Sequence, residues 1–112
     1  MDWLLLSEEN QLVEIYERSF EPGIKGIILF KHSTRCGISS MAKSRLERYG
    51  NFDAPAYYLD LIAHRHLSDK IAGQYELEHQ SPQILVIKNG KCVYTTSHSE
   101  IDFPSIQAFL NS

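Results

Sequence analysis

The dipeptide Asn89-Gly90 stands between the run Gln83-Ile84-Leu85-Val86-Ile87-Lys88 and a second strand-like run from Lys91 to Thr96. It constrains the fold more than any other feature. Asn-Gly favours the left-handed backbone of a two-residue hairpin turn, whose twist matches that of paired antiparallel strands. The chain therefore ends its sheet with a hairpin, Lys88 opposite Lys91 and Ile87 opposite Cys92. Upstream, helix-period patterns alternate with short apolar runs. Ser7-Glu8-Glu9 reads as a helix start, a capping hydroxyl followed by carboxylates in the first turn. Leu12, Val13, Ile15, Tyr16 and Phe20 continue that helix until Pro22-Gly23 stops it. Gly26 to Phe30 is too short for a helix and long enough for a buried strand. Ile38, Met41, Ala42, Leu46 and Tyr49 return to helical spacing, ended by Gly50-Asn51. Ala56 to Leu59 reads as a strand, Asp60 to Gly73 as a helix, and Pro104 starts a last helix with Ile106, Phe109 and Leu110.

Strands alternating with helices imply parallel pairs covered on both faces. With the closing hairpin the expectation is an α/β, thioredoxin-like fold, a mixed four-stranded sheet in one domain spanning 1–112. At 112 residues and 43% apolar, the chain can bury about two thirds of its unfolded surface without disulfides or metal. Eleven Lys and Arg against fourteen Asp and Glu argue against nucleic acid as a partner. No apolar run approaches about eighteen residues, the length that spans a membrane. Met1 to Leu6 lacks the features of a signal peptide. Two cysteines point to the reducing cytosol, and a cytoplasmic monomer is expected.

Cys36 follows a buried strand and opens a helix, where free backbone N–H groups and the helix dipole favour a thiolate, the nucleophile of disulfide exchange. Lys31, His32 and Arg35 are basic neighbours in sequence. Ser39 occupies the position of the second thiol in a dithiol oxidoreductase; its hydroxyl can bond a thiolate but cannot form a disulfide. Cys36-Gly37-Ile38-Ser39 is thus a monothiol arrangement. Cys92 lies about 16 Å along the sheet from Pro82 by strand rise, too far to resolve a disulfide at the other end. Ser81-Pro82 starts a strand and, in this fold, is expected to be cis and beside the thiol. The register places Thr96 opposite Gln83, so Thr96-Ser97-His98 returns to the same end with polar groups for a small ligand. Asp60 is a candidate helix N-cap. His64 and His66 read as solvated helix residues, and no metal site is expected.

The segment from Phe30 to Ser39, with His79-Gln80-Ser81-Pro82-Gln83, Ile87-Lys88-Asn89-Gly90, and Thr96-Ser97-His98 with Ile101, resembles the YtxJ family, the bacillithiol-system proteins also called monothiol bacilliredoxins. That family usually carries proline after the cysteine, where this chain has Gly37. The resemblance implies a thiol–disulfide oxidoreductase whose nucleophile is Cys36, with Pro82 as the cis proline of the fold; by position in the sequence, His32, Arg35, Gly37 and Ser39 are the candidate neighbours of the thiol. It implies removal of bacillithiol, the thiol co-substrate, from protein mixed disulfides. Ser81, Thr96, Ser97 and His98 are the candidate ligand contacts. The alternative is a non-catalytic redox sensor or an iron–sulfur or metal-binding module using Cys36.

Overall fold

A computed structural model describes residues 1–35 and 37–112; Cys36 lies outside the described residues. Five strands, β1 (Trp3–Leu5), β2 (Ile27–His32), β3 (Ala56–Asp60), β4 (Gln83–Lys88) and β5 (Lys91–Ser97), form one sheet in the order β1-β3-β2-β4-β5. β3 runs parallel to both β1 and β2, while the β2–β4 and β4–β5 pairs are antiparallel. The helices are α1 (Asn10–Arg18), α2 (Gly37–Glu47), α3 (Arg65–Gln74) and α4 (Phe103–Asn111), with a 3-10 turn at His98–Glu100.

Alternation along the buried β2 splits the core. Ile27 and Leu29 face Leu12 and Ile15 of α1 and Leu67 and Ile71 of α3. Ile28 and Phe30 face Ala42 and Leu46 of α2 and Ile106 and Leu110 of α4. α4 is capped as its sequence allows: Asp102 accepts from the Ser105 N–H and hydroxyl, with Pro104 in the first turn.

The sheet has one strand more than the four expected. β1 is three residues long with two exposed leucines, too little pattern to be read as a strand. Trp3 anchors it, stacking on Phe30 at 5.4 Å and donating its indole N–H to Glu47 of α2.

The helix starts also differ. Ser7 does not cap α1; the N–H groups of Ser7 and Glu8 are satisfied by the Gln11 side chain, which reaches back from the first turn. Asp60 caps no helix directly. Its carboxylate accepts from the N–H groups of Ile62 and Ala63, closing a turn that delays α3 until Arg65. On α2 the inward stripe is Ser39, Ala42 and Leu46. Ile38, Met41 and Tyr49, expected on the core face, are exposed.

The hairpin pairs as expected at its turn, Lys88 with Lys91 and Ile87 with Cys92. Asn89 and Gly90 both have positive φ. A Cβ on Gly90 would stand 2.6 Å from the Tyr16 ring, so only glycine fits under α1. Past that point Val93 is an extra residue: Val86 pairs with Tyr94, Thr96 with Ile84, and Ser97 with Gln83. The expected pairing of Thr96 with Gln83 is therefore off by one, because a bulge opposes two residues to one. Cys92 packs toward the α1/α3 core and Tyr94 toward the α2/α4 core.

Candidate functional site

The C-terminal end of β2, the start of β4 and the end of β5 meet at one edge, because Lys31 pairs with Gln83 and Gln83 with Ser97. The chain leaves β2 at His32 and α2 begins at Gly37. The candidate nucleophile Cys36, between them in sequence, lies outside the described residues. Ser81-Pro82 is cis and the strand it introduces lies beside β2, as expected. Pro82 accepts the His98 N–H at 3.1 Å, which brings Ser81, Pro82, Ser97 and His98 together. The side chains of Thr96 and Ser97 alternate between the two faces of the sheet. Arg45 of α2 donates to the carbonyls of His98 and Ile101, clamping this segment to the helix. Ile38, Met41, Arg45, His98 and Ser99 line a pocket of about 320 Å³ beside it.

His32 is 4% exposed and sits in an aromatic box with Phe30 and Tyr58. Burial and then the Lys43 ammonium push its pKa below the ordinary imidazole value, against the upward pull of Asp60, the Ser39 backbone and Glu47. The ring is therefore neutral near pH 7 and supplies no positive charge, unlike the basic neighbour the sequence led us to expect. Its Nδ1 has no partner among the described residues, and neither has the fully buried Ser39 Oγ. Lys31 also turns away, its side chain buried on the α1/α3 face with Leu29. Arg35 is exposed.

α2 is braced from its outer end. Burial alone would raise the Glu47 carboxyl, but Lys43 and the Trp3 N–H outweigh it and hold it below the usual range. Lys43 lies 5.8 Å from the centre of the Tyr58 ring. Trp3, Lys43, Glu47 and Tyr58 carried no sequence motif; only their packing around His32 brings them to the site.

Cys92 is a free, half-buried thiol paired opposite Ile87, at the other end of β4 from Pro82. Burial raises its pKa, with the Tyr94 and Val86 backbones pulling the other way, so it is a weak nucleophile. Among the described residues no three His, Cys, Asp or Glu side chains could hold one metal ion.

The profile of the monothiol bacilliredoxin BrxC family matches residues 5–106. The chain belongs to that family. A solved structure named "A putative oxidoreductase with a thioredoxin fold" is 31% identical, with a TM-score of 0.78 over 97% of this chain and 93% of that one. A thioredoxin variant from Halobacterium salinarum (13% identity, TM-score 0.73, 98% and 88% covered) and thioredoxin f from spinach chloroplast (16%, 0.71, 96% and 92%) share the fold. Membership gives this bacilliredoxin thiol redox chemistry of the bacilliredoxin type and links it to the bacillithiol system. No helix among the described residues is long and apolar enough to cross a membrane.

Two expected outcomes arise here. A Cβ on Gly37 would meet nothing within 4 Å. Gly37→Pro should therefore be accepted in the first turn of α2 and raise stability by about 0.5–1 kcal/mol, read as a higher Tm. The second concerns pH. His32 and His79 both have lowered pKa values, His79 through desolvation and Lys31 and Arg65. The unfolded chain then binds more protons just below the ordinary histidine value of about 6.5, so stability is lost as the pH drops through that window. Denaturant titrations at pH 7.5 and 5.5 should give the lower midpoint at pH 5.5.

Proposed function

We propose that this bacilliredoxin removes bacillithiol from protein mixed disulfides, with Cys36 as nucleophile. The Cys36 thiolate attacks the bacillithiol sulfur, a Cys36–bacillithiol disulfide forms, and the protein thiolate leaves and takes up a proton. A second thiol then attacks that disulfide and resets Cys36. The exchange is balanced, with one disulfide broken and one formed at each step.

The observation that carries this reading is Ser39. It is wholly buried in the first turn of α2, its hydroxyl without a partner among the described residues, where a dithiol enzyme needs a second thiol. The neutral His32, its Nδ1 without a partner among the described residues, suits a group that accepts the thiol proton. Ser81, Thr96, Ser97 and His98 are the proposed polar contacts for the thiol ligand, in a cytoplasmic setting. The identity of that thiol rests on family membership. The test is parallel exposure to one carrier protein modified with bacillithiol, glutathione or coenzyme A. Fastest uptake from the bacillithiol carrier is expected; equal rates from all three would overturn the assignment. A cluster absorption band in the purified protein would favour the iron–sulfur reading instead.

A further inference from the structure

On the α1/α3 side of the same sheet edge lies a polar cluster of Lys31, Ser68 and His79. Lys31 is 0% exposed yet has no carboxylate within salt-bridge distance among the described residues. Its Nζ donates to the Ser68 carbonyl at 3.2 Å and to His79 Nδ1 at 3.3 Å. Ser68 Oγ is 3.0 Å from the same nitrogen. An ammonium can only donate, so Nδ1 must accept and the imidazole is neutral with its proton on Nε2. An isolated buried ammonium is costly. Here it spans β2, α3 and the segment that leads to Pro82. Gln83 holds that segment from the other side, donating to the Glu78 carbonyl and accepting from the Gln80 N–H.

We propose that Lys31, Ser68 and His79 form a positioning cluster that fixes the Gln80-Ser81-Pro82 segment at the exchange site, and that it holds only while His79 is neutral. This rests on the reading of that edge as the site of exchange by Cys36. The charged groups facing His79 are Lys31 from β2 and Asp69 and Arg65 from α3. Protonation would place an N–H at Nδ1 against the Lys31 ammonium, replacing that hydrogen bond by a repulsion that only Asp69 opposes, while the Ser68 hydroxyl can turn to accept from it. Below the ordinary histidine pKa the Lys31 tie to the segment is lost, leaving the Gln83 side chain and the His98–Pro82 hydrogen bond as its remaining holds on the exchange-site side.

The test compares two rates across pH in the full chain. Alkylation of Cys36 by iodoacetamide reports the thiol itself; exchange with a bacillithiol-modified peptide also needs the segment in place. Their ratio should fall about tenfold in the parent protein from pH 7.5 to 5, the scale of a small misplacement of a docking element. His79→Asn offers an amide oxygen near Nδ1 without titrating, so its ratio should stay near the parent's pH 7.5 value at both pH values. His79→Ala should be about tenfold low at both, with a melt confirming that it folds. A parent ratio independent of pH, or a His79→Asn ratio that falls like the parent's, overturns the proposal. No exchange by the parent at any pH, with normal alkylation, contradicts the exchange reading instead. The amide signals of Gln80, Ser81 and Gln83 then decide the cluster: they must titrate with His79 in the parent and not in His79→Asn.

Discussion

Cys36→Ser is expected to abolish mixed-disulfide formation, while Cys92→Ser leaves it within about a factor of two. Disulfide exchange needs a thiolate, and an alcohol at the same place is no substitute. The contrast comes from position and burial. Cys92 pairs with Ile87, five residues down β4 from Pro82, and its thiol is pushed up by burial. By strand rise that is about 16 Å, beyond the separation of about 7 Å that a disulfide tolerates between Cα atoms. Quantitative mass spectrometry of the three proteins against one modified carrier checks both halves. Full activity in Cys36→Ser, or loss in a folded Cys92→Ser, would assign the chemistry to the wrong sulfur.

Lys31→Met is expected to stabilise the protein and slow exchange at the same time. Burial pushes the Lys31 pKa down to about 8, with Asp69 opposing. The unfolded chain holds its proton up to about 10.5, so the folded state carries a penalty on the order of 3 kcal/mol at pH 7. That penalty disappears as pH rises from about 8 to 10.5. Methionine fills similar volume without charge, but leaves the Ser68 carbonyl and His79 Nδ1 one donor short. A net gain of about 1–2 kcal/mol remains, several degrees in Tm, shrinking at alkaline pH. A residue with only a structural part would not combine a higher Tm with slower exchange.

What the sequence disclosed and what it concealed follow from how local each signal is. The Asn89-Gly90 turn dictates its own register because both residues must take positive φ, and that pairing, with Cys92 opposite Ile87, was legible. Val93 was not: an extra β-branched residue in a strand looks like ordinary alternation, and it moves Thr96 from Gln83 to Ile84. Ser39 is picked out by its spacing from Cys36, but its full burial in the first turn of α2 is not visible in that spacing. The neutrality of His32 was not legible, because it comes from Phe30 and Tyr58 packed around the ring and from Lys43 nearby. Lys31 reads in sequence as a basic neighbour of the thiol, whereas strand alternation turns it to the other face, where its partners come from residues 68 and 79.

The central claim is that Cys36 works as a single thiol, and intact mass after exposure to a protein–bacillithiol mixed disulfide tests it most directly. The account predicts one bacillithiol on Cys36, persisting until a second thiol is added and then released. A Cys36–Cys92 disulfide with unaided turnover would contradict it.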